Sequence, residues 1–150
     1  MNAELWYSIV NLIPMPWWLL MILAPNTTIT RRMTRNYAIF LALALLYVVF
    51  LILGMSQVPA ANGLGFGFDQ IRQTLTQSPL AFVAAWIHYL VFDLFVGFWI
   101  YKEGLRLKIA PWQTSVCLLF TLMTGPLGLG LFLIRRQFAL PPDTPLLGED

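Results

Sequence analysis

The chain has 150 residues and a formal net charge of +2; 59% of its residues are hydrophobic and only 11% are charged. A soluble domain carries about 25% charged residues to cover its surface, so this composition excludes an ordinary water-soluble enzyme and makes lipid the solvent for most of the chain. The Lys and Arg residues sit at the ends of apolar runs and form no stripe, which gives no nucleic-acid footprint, and a single cysteine, Cys117, excludes an intrachain disulfide framework.

A hydrocarbon core of about 30 Å is crossed by about 20 apolar residues, and four stretches meet that length: 5–24, 37–54, 79–101 and 111–134. The sequence therefore predicts an all-α, polytopic membrane protein, one domain with four transmembrane helices. In the first stretch Pro14 and Pro16 predict a kink, and Asn11 is a polar group placed to bond across helices or to line a pocket. No basic segment precedes this stretch and no small-residue cleavage site follows it, so it is expected to stay as a span rather than act as a signal peptide. The connection after it carries Arg31, Arg32 and Arg35, with Thr28 or Thr30 placed to cap a short helix.

The second stretch, YAIFLALALLYVVFLILG, is uninterrupted apolar sequence. Behind it the chain loosens through Pro59, Asn62 and the run Gly63-Leu64-Gly65-Phe66-Gly67. That run superficially resembles a nucleotide loop, but it opens no βαβ unit and reads as a loop. Phe68, Ile71 and Leu75 then share one helical face, with Asp69, Arg72 and Gln73 on others, which predicts a short interfacial helix in the second loop. After the third stretch comes a short basic connection with Lys102, Arg106 and Lys108. The fourth stretch contains Gly125, Pro126, Gly128 and Gly130, which bend a helix and permit close contact within the chain or with a second copy in a homo-oligomer. Residues 135–150 read as a flexible polar tail.

With four spans, the first and third connections share one side and hold Arg31, Arg32, Arg35, Lys102, Arg106 and Lys108; Arg72, Arg135 and Arg136 lie opposite. The bias puts the richer side in the cytoplasm or stroma and both termini on the non-cytoplasmic side.

The four stretches hold one acid, Asp93, and one histidine, His88, both in the third. A charged group at the centre of a membrane helix costs about 2.5–3.5 kcal/mol on insertion scales, so such residues face a bundle interior, pair, or carry function. Acid–base work suits them. Five residues apart, they point about 140° away from each other on an ideal α-helix. Asp93 shares a face with Trp86, Tyr89 and Gly97, and His88 with Phe92, Phe95 and Trp99. Contact with one substrate then requires protein around a wide arc of the helix, a π-bulge, or a substrate lying between the two groups. The purely structural alternative is that Asp93 bonds Tyr89, Trp112 or Asn11 and ties helices together. A metal site would need about three ligands and the spans supply two, so none is expected.

The run Trp86-Ile87-His88-Tyr89-Leu90-Val91-Phe92-Asp93-Leu94-Phe95-Val96-Gly97, with Trp99-Ile100-Tyr101 behind it, resembles the signature of the abscisic-acid-deficient-four-like family. Asn11-Leu12, Pro16-Trp17-Trp18-Leu19-Leu20-Met21, Arg31-Arg32 and Gly125-Pro126-Leu127-Gly128-Leu129 extend the resemblance along nearly the whole chain. Phe98 stands where the family often has a basic residue, and Glu103 stands near its aspartate. Plant members are associated with neoxanthin synthesis, so the resemblance implies a carotenoid-related membrane protein of the thylakoid or plasma membrane of a cyanobacterium-like organism, or of a plastid. Its partners would be membrane lipid and a xanthophyll, with no nucleic acid.

The implied chemistry is an isomerisation: a 5,6-epoxide opens while a proton leaves C7, giving an allene and a tertiary alcohol. No electrons are exchanged, and no cofactor is required. His88 and Asp93 are then the catalytic candidates, as acid and base or the reverse, with Trp86, Tyr89, Trp99 and Asn11 as substrate contacts. The rival expectation is a non-catalytic subunit that binds carotenoid or chlorophyll or assists assembly of a photosynthetic complex.

Overall fold

The computed structural model describes residues 2–58 and 67–140. Most of the glycine run, 63–66, and most of the expected tail, 141–150, lie outside the described residues. The described residues form eight helices, in order α1 (Ala3–Leu12), α2 (Met15–Leu23), α3 (Thr28–Arg35), α4 (Ala38–Met55), α5 (Phe68–Gln77), α6 (Pro79–Arg106), α7 (Pro111–Thr124) and α8 (Pro126–Gln137). Among the described residues there is no strand. The chain divides into two compact units, and α6, continuous over 28 residues, contributes to both.

The first unit takes in Met1–Pro16 and Arg35–Leu94. Asn2 starts α1: its side-chain oxygen accepts the N–H groups of Glu4 and Leu5 at 3.1 and 3.2 Å. The chain breaks at Ile13–Pro14, and α2 resumes the run, so the proline kink expected in the first span is present. Val10, Phe50, Leu80, Val83, Ala84 and Ile87 form the core, with Trp6 set edge-on to Phe50 at 5.3 Å. At Gly54 an added Cβ would lie 2.5 Å from the backbone nitrogen of Ala81, so α4 and α6 meet backbone to backbone there. α4 exposes Leu41, Leu45, Val48, Val49 and Ile52; a helix apolar on every face belongs in lipid. Ser78 opens α6 by accepting the N–H of Ala81 on its hydroxyl, which also bonds Gln57 at 2.9 Å. α5 forms where the amphipathic pattern placed a helix; it buries none of its residues and leaves Phe68 exposed.

The second unit takes in Trp17–Thr34 and Phe95–Asp150. Trp18 is buried against Gly97, where a Cβ would lie 2.6 Å from the outer edge of the indole ring. Tyr101 donates its hydroxyl to the Pro25 carbonyl at 2.7 Å, and Ser115 donates to Ile22 at 2.7 Å. Thr30 closes the turn into α3 by donating to the Ala24 carbonyl at 2.7 Å. At the end of α6 the N–H groups of Ile109 and Lys108 bond the carbonyls of Gly104 and Leu105, the paired bonds of a Schellman motif. The residue in its left-handed position is Lys108, with φ 52°, where glycine avoids a steric cost of about 1–2 kcal/mol.

The fourth expected span is not one helix. α7 ends after 14 residues, about 21 Å of rise, at Gly125, whose φ of 56° and ψ of −89° turn the chain. α8 then runs back along α7. An added Cβ on Gly128 would strike the backbone of Thr121, Arg135 near the end of α8 donates to Gln113 at the start of α7 (2.8 Å), and Phe132 meets Trp99 edge-on at 5.4 Å. The break follows from the pair Gly125–Pro126: glycine adopts the left-handed angle and proline cannot continue α7. Among the described residues three segments are long and apolar enough to cross a membrane: Ala3–Leu23, Ala38–Met55 and Pro79–Arg106.

Arg136 donates to Glu103 at 2.8 Å, and Arg106 grips the same carboxylate through two bonds of 2.7 Å. The Glu103 side chain is only 10% exposed, so it is held by charge-assisted bonds from two guanidinium groups. This triad ties α8 to the end of α6.

Candidate functional site

α6 presents His88 and Asp93 from the first unit. The helix is α throughout, with no π segment between the two residues, so they remain about 140° apart around its axis. The two groups are not enclosed together in the interior of the first unit: His88 is exposed and Asp93 is half-buried. The physical reason is the helix's burial pattern. Val83, Ala84, Ile87 and Leu94 fill the packed face, and the shorter arc from His88 to Asp93 crosses the opposite face, over Tyr89 and Phe92, which are 64% and 57% exposed.

His88 lies in an aromatic nest. Its ring centroid is 4.6 Å from Phe92, 5.9 Å from Tyr47 and 6.3 Å from Tyr89, the last edge-on. Sequence reasoning passed over Tyr47 and gave Phe92 no role. The available signal was Tyr47 itself, a phenol in the middle of an aliphatic stretch. Asp93 forms no ion pair or hydrogen bond among the described residues.

The expected substrate contacts separate. Asn11 donates to the Tyr7 carbonyl at 2.7 Å and accepts the Trp86 indole N–H at 3.0 Å, so each holds the other across α1 and α6. Tyr7 stacks obliquely on Trp86 at 5.3 Å. Tyr89 stands beside His88, on the exposed arc. Trp99 belongs to the second unit, where Phe132 covers one edge of it. The structure thus gathers His88 and Tyr89 with Tyr47 and Phe92, locks Asn11 to Trp86, and leaves Asp93 on the flank of the exposed arc. Among the described residues no three His, Cys, Asp or Glu side chains come together as metal ligands would.

No solved structure matches this chain. Protein ABA DEFICIENT 4, chloroplastic, of Arabidopsis thaliana is 31% identical over an alignment of 113 residues that covers 71% of this chain and 50% of that relative. The chain therefore spans about half the length of the curated relative it matches. The family model described as ABA DEFICIENT 4-like matches residues 5–132, from α1 to within α8 and across the whole of α6. With that coverage, the chain belongs to the ABA4-like family.

Proposed function

We propose that this protein acts on a xanthophyll within the bilayer, in its most specific form as an isomerase of a 5,6-epoxycarotenoid. One observation carries the reading: the exposed arc of α6 runs from a histidine to a half-buried carboxyl over exposed aromatic side chains. A long apolar substrate already dissolved in lipid reaches such a surface by lateral diffusion. It would lie across Tyr89 and Phe92 with His88 at one edge and Asp93 at the other. In the balanced step, Asp93 takes the C7 proton, the C7–H electron pair becomes the new C6–C7 π bond, and the C6–O bond breaks. The oxygen stays on C5 and takes a proton from His88, giving the allene and the tertiary alcohol with no redox partner. Hydrocarbon around the arc keeps bulk water from the acid and base. The thylakoid or plasma membrane of a photosynthetic cell is the setting that holds this substrate.

The test is replacement of His88 by Gln and Asp93 by Asn, separately, in a host that makes epoxycarotenoids, with pigments separated chromatographically. Loss of a positioned acid or base lowers the rate by about 10²–10⁴-fold, so each variant should accumulate substrate at wild-type protein levels. Unchanged product in both variants would remove the catalytic assignment.

The openness of His88 favours a second reading, a non-catalytic carotenoid- or chlorophyll-binding subunit. Purified protein would then carry pigment in fixed stoichiometry, and the His88 variant would lose pigment without any change in conversion of added epoxycarotenoid.

A further inference from the structure

A cavity of about 240 Å³ opens where α6 ends and α7 begins, inside the second unit. Pro25, Asn26, Tyr101, Lys108 and Thr114 are among its walls. Its size is below the 300–1,000 Å³ common for drug-sized ligands, so it suits a compact group and not a polyene. Its only charged lining residue is the cation Lys108.

Three features converge on that space. Lys108 occupies the left-handed position of the Schellman motif, at φ 52°. Glycine fits that position without strain, so the backbone gains nothing from lysine and the ammonium group is what the residue adds. Thr114 is 95% buried (5% exposed), yet its hydroxyl has no hydrogen-bond partner among the described residues and it forms part of the cavity wall. Gly104 makes this possible, because a Cβ there would lie 2.7 Å from the Thr114 hydroxyl oxygen. Finally, α7 begins at the cavity with Pro111 and no side-chain cap, so the positive end of a 14-residue helix faces the same space.

We propose that this cavity binds a phosphate group, as the headgroup of an anionic phospholipid or as free phosphate. Lys108 supplies the charge, the Thr114 hydroxyl and the Asn26 amide supply neutral donors, and the start of α7 supplies its dipole. The absence of any acid from the lining selects against cations.

The experiment uses the full chain in nanodiscs of phosphatidylcholine with and without phosphatidylglycerol, and in detergent with inorganic phosphate. Retained lipid is read by native mass spectrometry and bound phosphate by equilibrium dialysis. Lys108→Gly removes the cation and relieves the backbone, so it should fold at least as stably as wild type; Thr114→Val keeps the shape and removes the hydroxyl. The expected result is preferential retention of phosphatidylglycerol, reduced at least tenfold by Lys108→Gly, several-fold by Thr114→Val, and not by Lys108→Arg. Saturable inorganic phosphate binding with the same ranking, and no lipid preference, would support the site with free phosphate as its ligand. Equal binding of both probes by wild type and Lys108→Gly would overturn it.

Discussion

At the scale of single residues, glycines mark where this chain has no room to spare. Gly97 faces the buried Trp18 ring, which a Cβ would meet at 2.6 Å, whereas a Cβ on Gly130 would meet nothing within 4 Å. Overpacking costs about 1–3 kcal/mol, and replacing an unconstrained helical glycine by alanine returns about 0.5–1 kcal/mol. Gly97→Ala should therefore lower the midpoint of thermal unfolding in detergent, and Gly130→Ala should leave it unchanged or raise it. Neither distinction was legible in the sequence, where Gly128 and Gly130 looked equivalent as contact residues. Only the direction of the turn at Gly125 tells Gly128, pressed on Thr121, from Gly130. His88 and Asp93 were legible as the ionisable groups of the third apolar stretch, and their angular separation followed from helical spacing. What spacing could not supply was the zero of the angle: Ile87 and Leu94 set the packed face and leave His88 outside.

At the scale of elements, apolar run length located α4 and α6, and the amphipathic pattern located α5. It failed at residues 111–134 because hydropathy is blind to a reversal of direction. An α7–α8 pair folded back on itself has the same composition as one straight helix. The signal is Gly125–Pro126, a pair that predicts a bend and here makes a full reversal. Gly125 adopts φ 56° and ψ −89°, outside the regions open to residues with a Cβ. Gly125→Ala should cost about 1–3 kcal/mol and loosen the hairpin. The check is hydrogen exchange across α7 and α8: protection should fall there, while α4 and the start of α6 keep theirs.

At the scale of the whole molecule, the hairpin changes the charge count across the membrane. With three crossings and a returning α7–α8 pair, Arg135 and Arg136 join Arg31, Arg32, Arg35, Lys102, Arg106 and Lys108 on one side. Eight of the nine Lys and Arg residues are then together, with Arg72 alone opposite. This bias is far stronger than the six against three that four crossings give, and it predicts that the common side faces the cytoplasm or stroma. The end of α8 should therefore lie in the cytoplasm or stroma and the start of α1 outside, in contrast to the expectation that both ends share the outer face. Single cysteines at Asn2→Cys and Gln137→Cys, in a Cys117→Ser background, check this with an impermeant thiol reagent on intact cells. Asn2→Cys should label without lysis and Gln137→Cys only after it.

The reversal at Gly125 has one more consequence, for the peptide groups at the tip. Hydrocarbon offers no acceptor for an unbonded amide hydrogen, and each one left bare costs several kcal/mol. The start of a helix ordinarily presents such hydrogens. Pro126, the first residue of α8, has none to present, and the Gly125 amide is spent on the Thr121 carbonyl at 2.8 Å. A proline that looks from the sequence like a helix breaker thus lets the chain double back with fewer hydrogens that only water could satisfy.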